Sequence, residues 1–232
     1  MNKRLVVYYL GRIMVMASLL FIPPLAVSLL YRDGCFWSIL FPAIGMFGAG
    51  LSCSRFKPKD RRSYAREGFV IVTAMWLLFS VFGALPFLIS GAIPSFVDAF
   101  FETVSGFTTT GATILNDVES MSRGLLFWRS FTHWIGGMGV LVFLLAIIPM
   151  SGGSNINLMK AESPGPSVDK FVPRVKDTAK ILYTLYVGIT LLQIVCLLLA
   201  KMPFFDTLTL SFGTVGTGGF GVKNSSLGDY PS

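Results

Sequence analysis

The sequence predicts an all-α, polytopic membrane protein with an internal repeat, and three observations lead to this fold class. Of the 232 residues, 53% are hydrophobic and only 13% are charged, whereas soluble domains carry about 25% charged residues. Several apolar segments are long enough to cross a bilayer. Two shorter apolar segments recur at a constant spacing, each followed by a Gly/Thr-rich loop. Together these features favour membrane-spanning helices over a water-soluble core.

Five segments have the length and composition of membrane-spanning helices, since the hydrocarbon core of a bilayer needs about 20 apolar residues. They are Leu5–Tyr31, Cys35–Cys53, Gly68–Ser90, Gly124–Met150 and Ile181–Ala200. The first is too long for the apolar region of a secretory signal peptide, so we interpret it as a retained helix. Two further apolar stretches, Phe96–Phe107 and Phe204–Phe212, are too short to span and are expected to be buried or re-entrant.

The basic residues orient these helices. If the N-terminus is cytoplasmic, 14 of the 19 Lys and Arg residues fall in cytoplasmic segments. They are concentrated around the N-terminus, in Arg55–Arg66 and in the stretch before the fifth span. This distribution follows the positive-inside rule, and it accounts for the net charge of +7 without a nucleic-acid partner. Both short apolar stretches then lie toward the outer side.

The second half of the chain repeats the first at an offset of 108 residues. The matched pairs include Phe96 with Phe204, Asp98 with Asp206, Thr109 with Thr217, Gly111 with Gly219 and Arg66 with Arg174. Each unit consists of a span, a short amphipathic helix, a Gly/Thr loop and a second span. Asp98 and Asp206 are the predicted N-caps of the short helices, because a carboxylate there can accept from the free N–H groups of the first turn. The second copy ends at Ser232 without a closing span, and we therefore expect a truncated chain.

Each Gly/Thr loop has the composition of a backbone site for a cation. Non-helical backbone at membrane depth is tolerated only where it is buried in protein or lines a water-filled cavity. A short helix directs its partly negative C-terminal carbonyls at the loop, and loop carbonyls can replace the hydration shell of an ion. Glycine permits the positive φ that turns neighbouring carbonyls toward one axis, and threonine adds an uncharged hydroxyl acceptor. Neither loop contains Asp or Glu, which favours a monovalent cation, K⁺ or Na⁺.

Two other site chemistries are disfavoured. Gly216–Gly221 fits the dinucleotide-binding pattern G-x-G-x-x-G, but that pattern requires a preceding strand within a βαβ unit. Here it follows a short apolar helix of a membrane repeat. Cys35, Cys53 and Cys196 are too far apart for a metal or redox motif and are interpreted as small buried apolar side chains.

Three stretches resemble the Trk/Ktr/HKT superfamily of potassium transporters, specifically its Trk-type membrane subunits. They are FFETVSGFTTTGAT (Phe100–Thr113), HWIGGMGVLVF (His133–Phe143) and GTVGTGGF (Gly213–Phe220). The resemblance implies potassium-channel-like repeats of helix, re-entrant pore helix, filter loop and helix, with four repeats around one pore in the bacterial inner membrane. It also implies K⁺ as the transported ion without a covalently bound cofactor, a homodimer, and a peripheral cytoplasmic nucleotide-binding subunit.

By motif, Gly111 and Gly219 match the filter glycines of this family. The ion-binding residues implied by the resemblance are Thr109, Thr110, Gly111, Ala112, Thr217, Gly218, Gly219 and Phe220. The corresponding organisation places two N-terminal transmembrane helices and a basic cytoplasmic loop in residues 1-65 and the first pore repeat in 66-150. A cytoplasmic connector follows in 151-175, and the second pore repeat, which lacks its last helix, occupies 176-232. The chain thus carries two of four filter segments.

Residues near the loops have structural interpretations. Glu102 lies on the first short helix, and its repeat mate is Leu210, so we expect a structural partner, Arg129, rather than a symmetric ion site. His133, one helical turn from Arg129, is interpreted as a hydrogen-bonding anchor rather than a metal ligand. The glycines of WIGGMG are expected to permit close helix approach. The additional glycines of the second copy, Gly213 and Gly216, are expected to loosen its loop.

The leading functional hypothesis is potassium uptake along these loops, either down the electrochemical gradient or coupled to a second ion. A membrane-embedded enzyme is disfavoured, because no span carries paired carboxylates or a Ser/His/Asp set and the chain has one His. A secondary transporter with inverted repeats and broken helices would require oppositely oriented copies. The matched Arg66 and Arg174 place both copies in the same orientation. The chain is therefore predicted not to be an enzyme.

Overall fold

The computed structural model describes residues 2–58, 65–139, 175–228 and 230, and every regular element in these ranges is helical. In chain order the elements are α1 (Lys3–Ala17), a 3₁₀ turn (Ser18–Phe21), α2 (Ile22–Tyr31), α3 (Phe36–Ser54), α4 (Ala65–Ile89), α5 (Phe96–Phe107), α6 (Arg123–Gly137), α7 (Val175–Leu199) and α8 (Phe204–Val215). Four helical segments of the described chain are long and apolar enough to cross a membrane: Lys3–Tyr31, Phe36–Ser54, Glu67–Ile89 and Lys180–Leu199. The all-α fold class is thus confirmed.

The first predicted span is not one regular helix. α1 passes through the 3₁₀ turn into α2, which carries proline at its first positions, Pro23 and Pro24. Proline has no N–H to donate to the preceding turn, and its ring excludes the carbonyl four residues earlier. The proline pair therefore interrupts the helical hydrogen bonding inside the segment that the sequence predicted as Leu5–Tyr31.

The predicted span Gly124–Met150 also differs from the structure. α6 ends at Gly137, and Gly139 has a φ of 68°, outside the helical region. The reason is the run Gly136, Gly137 and Gly139, since glycine is the weakest helix former after proline. Residues 140–150 of the predicted span lie outside the described residues, as does most of the connector predicted for 151-175. The other three spans are confirmed with end shifts of one to six residues.

The chain forms two compact units, of which the first combines Met1–Leu20, Ala43–Phe79 and Gly139–Thr184. In its described part, α1 and the second half of α3 meet backbone to backbone at two glycines. A Cβ on Gly11 would lie 2.7 Å from the Gly50 carbonyl oxygen, and one on Gly50 would lie 2.8 Å from the Gly11 carbonyl oxygen. Small residues permit such close helix contacts in membranes.

The second unit combines Phe21–Pro42, Ser80–Met138 and Leu185–Ser232, and it is organised around α6. α6 packs against α2, α5 and α8, and nearly all its side chains from 124 to 135 are buried. Trp128 stacks on Phe21 with ring centroids 4.4 Å apart and donates from Nε1 to the Gly83 carbonyl at 2.9 Å. α6 is therefore the central helix of this unit.

The short helices α5 and α8 confirm the predicted repeat, but their caps differ from the prediction. Ser95 is the N-cap of α5 and accepts from the Asp98 N–H at 3.4 Å, while Pro203 precedes α8 without a side-chain cap. Asp98 and Asp206 are therefore first-turn residues, and their prediction as N-caps is wrong by three positions. α5 starts directly after Ser95, and α8 starts directly after Pro203. The acidic side chains in the first turns interact favourably with the positive ends of the helix dipoles.

The N-terminus of α6 is capped by a distant carboxylate. Its own N-cap residue, Ser122, makes no side-chain cap bond, whereas Asp33 Oδ2 accepts from the Gly124 N–H at 2.6 Å. Asp33 Oδ1 accepts from the Ser28 hydroxyl at 2.6 Å and from the Cys35 N–H at 3.2 Å. Burial raises the pKa of Asp33, but these hydrogen bonds outweigh burial and hold its pKa below the ordinary value of 3.8.

A pair of glycines on α3 provides a matched test of the α1–α3 contact. Gly50→Ala places a methyl group against the Gly11 carbonyl and Val15, and we expect it to lower the free energy of unfolding by about 1–3 kcal/mol. Gly48 has open space around its Cβ position, so Gly48→Ala should leave stability unchanged or raise it by up to about 1 kcal/mol. Thermal unfolding of the purified protein in detergent measures both, and equal effects would contradict the contact.

We also expect Asp33→Ala to destabilise the protein at neutral pH by about 0.5–2 kcal/mol, the usual effect of losing a cap. Because the folded-state pKa is lowered, this stabilisation is present above pH 3.8 and is lost as the pH falls through the folded-state value. The difference in melting temperature between wild type and variant should therefore shrink on acidification. Asp98→Ala, an exposed first-turn control on α5, should show a smaller effect, and a pH-independent difference at Asp33 would refute the cap.

Candidate functional site

The two Gly/Thr loops, residues 108–113 and 216–221, leave their helices with the same backbone geometry. α5 and α8 each end in a Schellman motif, in which two N–H groups beyond the helix bond back to its last carbonyls. In the first loop, the Thr109 N–H donates to the Gly106 carbonyl (3.1 Å) and the Thr110 N–H donates to the Ser105 carbonyl (2.9 Å). In the second loop, the Thr217 N–H donates to the Thr214 carbonyl (2.9 Å) and the Gly218 N–H donates to the Gly213 carbonyl (3.0 Å). Every pair differs by 108 residues. The internal repeat is therefore a repeat of hydrogen bonds as well as of residue types.

Both loops also repeat their backbone dihedral angles. Gly111 and Gly219 have φ values of 75° and 83°, which confirms the positive φ that the sequence predicted for glycine at these positions. Thr109 and Thr217 have φ values of 54° and 63°. The sequence reasoning did not anticipate this, although the two threonines align in the repeat. A β-branched residue at positive φ is an outlier, and such strain is typical of functional sites.

The two loops lie directly against each other. A Cβ on Gly111 would overlap the carbonyl oxygen of Gly218, so a side chain at Gly111 is excluded by the second loop as well as by its own φ. The Cβ position of Gly219 is open. The structure thus brings together the two loops that the sequence identified separately.

A carbonyl at matched positions of the loops is held in two different ways. In the first loop, the Ser105 hydroxyl donates to the Ala112 carbonyl at 2.6 Å. In the second copy, Gly213 replaces the serine, and its Cβ position lies 2.7 Å from the Phe220 carbonyl oxygen. The backbone of the second loop therefore packs onto its helix at a place where the first loop is held by a side chain.

Gly213 and Gly216, the additional glycines of the second copy, are sites of close packing, so the prediction that they loosen the loop is wrong. A Cβ on Gly218 would overlap the His133 ring, and one on Gly216 would strike the His133 carbonyl. The glycines of α6 have the same role, which confirms their predicted part in close approach. At Gly136 there is no space for a Cβ beside the Phe107 carbonyl. A Cβ on Gly137 would lie 2.9 Å from the Gly216 Cα.

His133 contacts the second loop from α6, in agreement with its interpretation as an anchor. Its ring stacks on Phe220 with centroids 3.9 Å apart and an interplanar angle of 19°. The Phe220 N–H points to His133 Nδ1 at 3.4 Å. Among the described residues, no group of three or more His, Cys, Asp or Glu side chains could hold a metal ion. Phe220 is buried, and its only polar groups are those of the backbone.

A buried ion pair contacts both loops. Arg129 Nε lies 2.6 Å from Glu102 Oε1, and the side chains are 3% and 0% exposed. This confirms the partner predicted for Glu102. Glu102 accepts from the Thr113 hydroxyl at 2.8 Å, at the end of the first loop, and from the Ile114 N–H at 3.1 Å, just after it. Arg129 donates to the Gly221 carbonyl at 3.1 Å, at the end of the second loop.

Asn224 joins the segments that follow the two loops. Its Oδ1 accepts from the Val118 N–H at 2.7 Å, its Nδ2 donates to Asp117 Oδ1 at 2.9 Å, and its N–H donates to Glu119 Oε1 at 3.0 Å. The hydrogen bond from Asn224 lowers the pKa of Asp117. The sequence reasoning missed this contact, although Asn116 occupies the matching repeat position.

The fold and this site define a class, the polytopic membrane proteins built from channel-like repeats of helix, pore helix, loop and helix. The chain belongs to the TrkH family of cation transport proteins, which it matches over residues 41–232. Membership of a cation transport family agrees with the prediction that the protein is not an enzyme, and it confirms the Trk resemblance.

Two curated relatives and one solved structure illustrate the match. The chain is 37% identical over 238 residues to the Trk system potassium uptake protein TrkH of Halomonas elongata, and 37% identical over 233 residues to the Trk system potassium uptake protein TrkG of Escherichia coli K12. These matches cover 100% and 99% of this chain and 49% and 48% of the relatives. The crystal structure of the potassium transporter TrkH from Vibrio parahaemolyticus matches with a TM-score of 0.82 and 33% identity, covering 100% of this chain and 47% of that one. The chain thus spans about half the length of these proteins.

The contact between Gly218 and His133 can be tested by a double-mutant cycle. Gly218→Ala forces a methyl group into the His133 ring, and we expect it to lower the free energy of unfolding by about 1–3 kcal/mol. In a His133→Ala background the same change should cost less, with a coupling energy of about 0.5–3 kcal/mol. Gly188→Ala is the control, because its Cβ position on α7 is open. Thermal unfolding in detergent measures the four proteins of the cycle and the control, and additive effects would contradict the contact.

Proposed function

We propose that the full-length protein takes up K⁺ across the bacterial inner membrane, with the two Gly/Thr loops as segments of its selectivity filter. The observation that carries this proposal is the duplication of loop geometry at an offset of 108 residues, with the two loops in direct contact. A carbonyl-lined filter needs such equivalent segments around a common axis, since each must present its oxygens to the same ion. The relatives are named potassium uptake proteins, which supports K⁺ as the ion.

The proposed ion-binding positions follow from the loop backbone. They are Thr109, Thr110, Gly111, Ala112, Thr217, Gly218, Gly219 and Phe220. The loops supply neutral oxygens and no carboxylate. We therefore propose that they bind a monovalent ion through the dipoles of their carbonyl and hydroxyl groups. The negative ends of the dipoles of α5 and α8 add to the attraction of a cation. K⁺ is the transported ion in this proposal, and the flux is either channel-like or coupled to another ion.

The rest of the assembly is proposed on the family resemblance. It comprises four repeats around one pore, of which residues 66-150 and 176-232 supply the first and the second, preceded by the two-helix segment 1-65. A homodimer, a cytoplasmic N-terminus and a peripheral nucleotide-binding subunit complete it. The positive-inside distribution of Lys and Arg supports the orientation.

The test is substitution of the positive-φ glycines in the full-length protein. Gly111→Ser and Gly219→Ser force a side chain onto a strained backbone, and we expect each to lower the ratio of K⁺ to Na⁺ uptake about tenfold, equivalent to about 1.4 kcal/mol. Initial uptake rates of both ions, in cells without other K⁺ uptake systems, provide the measurement.

Gly91→Ser is the matched control for backbone strain. Gly91 has a φ of 75° and open space around its Cβ position, but it precedes α5 and lies outside both loops. Gly91→Ser should leave the ratio of K⁺ to Na⁺ uptake unchanged when equal amounts of protein are present in the membrane. Unchanged selectivity in both loop variants, or an equal loss in the control, would refute the filter assignment.

A further inference from the structure

We propose that the buried pair Glu102–Arg129 is a positioning pair that fixes the two loops relative to each other and thereby sets cation selectivity. This inference rests on the proposed function, since it assigns the pair to the same filter. It goes beyond that proposal because neither residue belongs to a loop. Both lie behind the loops, on the helices α5 and α6.

Glu102 holds the end of the first loop. Its two carboxylate oxygens accept from the Thr113 hydroxyl at 2.8 Å and from the Ile114 N–H at 3.1 Å. Thr113 and Ile114 follow Gly111 by two and three residues, so a displacement of the carboxylate moves the end of the first loop. Charge-assisted hydrogen bonds of this kind are shorter and stronger than neutral ones.

Arg129 holds the end of the second loop. It donates to the Gly221 carbonyl at 3.1 Å, and its guanidinium carbon lies 3.5 Å from the centroid of the Phe220 ring. A guanidinium offers five donors in a fixed plane as well as a face that stacks on aromatic rings. One side chain therefore binds the carboxylate behind the first loop, a carbonyl of the second loop and an aromatic ring of the second loop.

The chemistry of the pair favours a role in specificity over one in stability. Two buried charges lose their hydration, and replacing such a pair by apolar groups is often neutral or stabilising. The repeat mate of Glu102 is Leu210, and the second short helix, α8, forms without a carboxylate at that position. What the ion pair adds is a short, directional connection from the Thr113 end of one loop to the Gly221 end of the other.

The experiment uses the full-length protein and the variants Glu102→Gln, Arg129→Lys, Arg129→Gln and Glu102→Gln with Arg129→Gln. Initial rates of K⁺ and Na⁺ uptake are measured in cells without other K⁺ uptake systems, along with KM for K⁺ and the amount of protein in the membrane. We expect each single variant to lower the K⁺ to Na⁺ ratio about fivefold or more and the double variant to lower it no further, because both residues serve one connection. Arg129→Lys should also lose selectivity, since an ammonium group cannot replace the planar set of donors.

Two charge controls come from the same helices. Arg123→Gln on α6 removes an exposed guanidinium that lies over the Tyr31 ring at 4.4 Å, and Asp98→Asn on α5 removes an exposed carboxylate. Both should keep the wild-type ratio. A purely structural role would change the amount of protein or the total flux but not the ratio of ions.

The outcomes separate this inference from the function on which it rests. If Gly111→Ser and Gly219→Ser alter selectivity but the ion-pair variants do not, the positioning role is refuted and the filter stands. If none of these variants alters selectivity, the filter assignment itself is refuted. If every ion-pair variant fails to accumulate in the membrane while Arg123→Gln and Asp98→Asn accumulate normally, the pair is assigned to folding, which also overturns the inference.

Discussion

The structure of the candidate site depends on one constraint, namely that a loop at membrane depth must satisfy its backbone hydrogen bonds within the protein. Schellman bonds at the ends of α5 and α8 satisfy the start of each loop. The Ser105 hydroxyl, the Glu102 carboxylate and the Arg129 guanidinium bind groups further along. These bonds satisfy groups of both loops within the protein, which lets the loop backbone remain non-helical.

α6 meets this constraint for both loops at once. It carries Arg129 and His133 one turn apart, and both contact Phe220 of the second loop. One turn further on, Gly136 leaves no space beside the Phe107 carbonyl at the end of α5. The large side chains of α6 therefore contact the second loop, and its glycines lie where the backbone of α6 packs directly against other backbone.

Much of this could be predicted from the sequence because the repeat supplied an internal comparison. Hydrophobic length identified the spans, and the 108-residue offset identified Gly111 and Gly219 as equivalent positions. The misplaced N-caps and the interrupted first span have local causes, namely Ser95, Pro203 and the Pro23–Pro24 pair. The contacts that the sequence did not reveal depend on neighbours distant in sequence. A glycine required by a remote ring, such as Gly218 beside His133, has the same sequence signature as a glycine that confers freedom. Likewise, nothing near Gly124 reveals that Asp33, 91 residues away, caps its helix.

The two copies share their backbone geometry and differ in the side chains behind it. The proposed filter function accounts for this difference, because an ion would interact with backbone oxygens and not with those side chains. In the proposed filter a cation interacts with the oxygen positions, so φ at Gly111 and Gly219 must agree while the side chains that hold the loops can differ. Ser105 and Gly213 are one such difference, and Glu102 and Leu210 are another. Because the second copy lacks a carboxylate at Leu210, its loop relies on Arg129 and His133 of the first copy. The second loop, a proposed filter segment, is thus held partly by residues of the first copy.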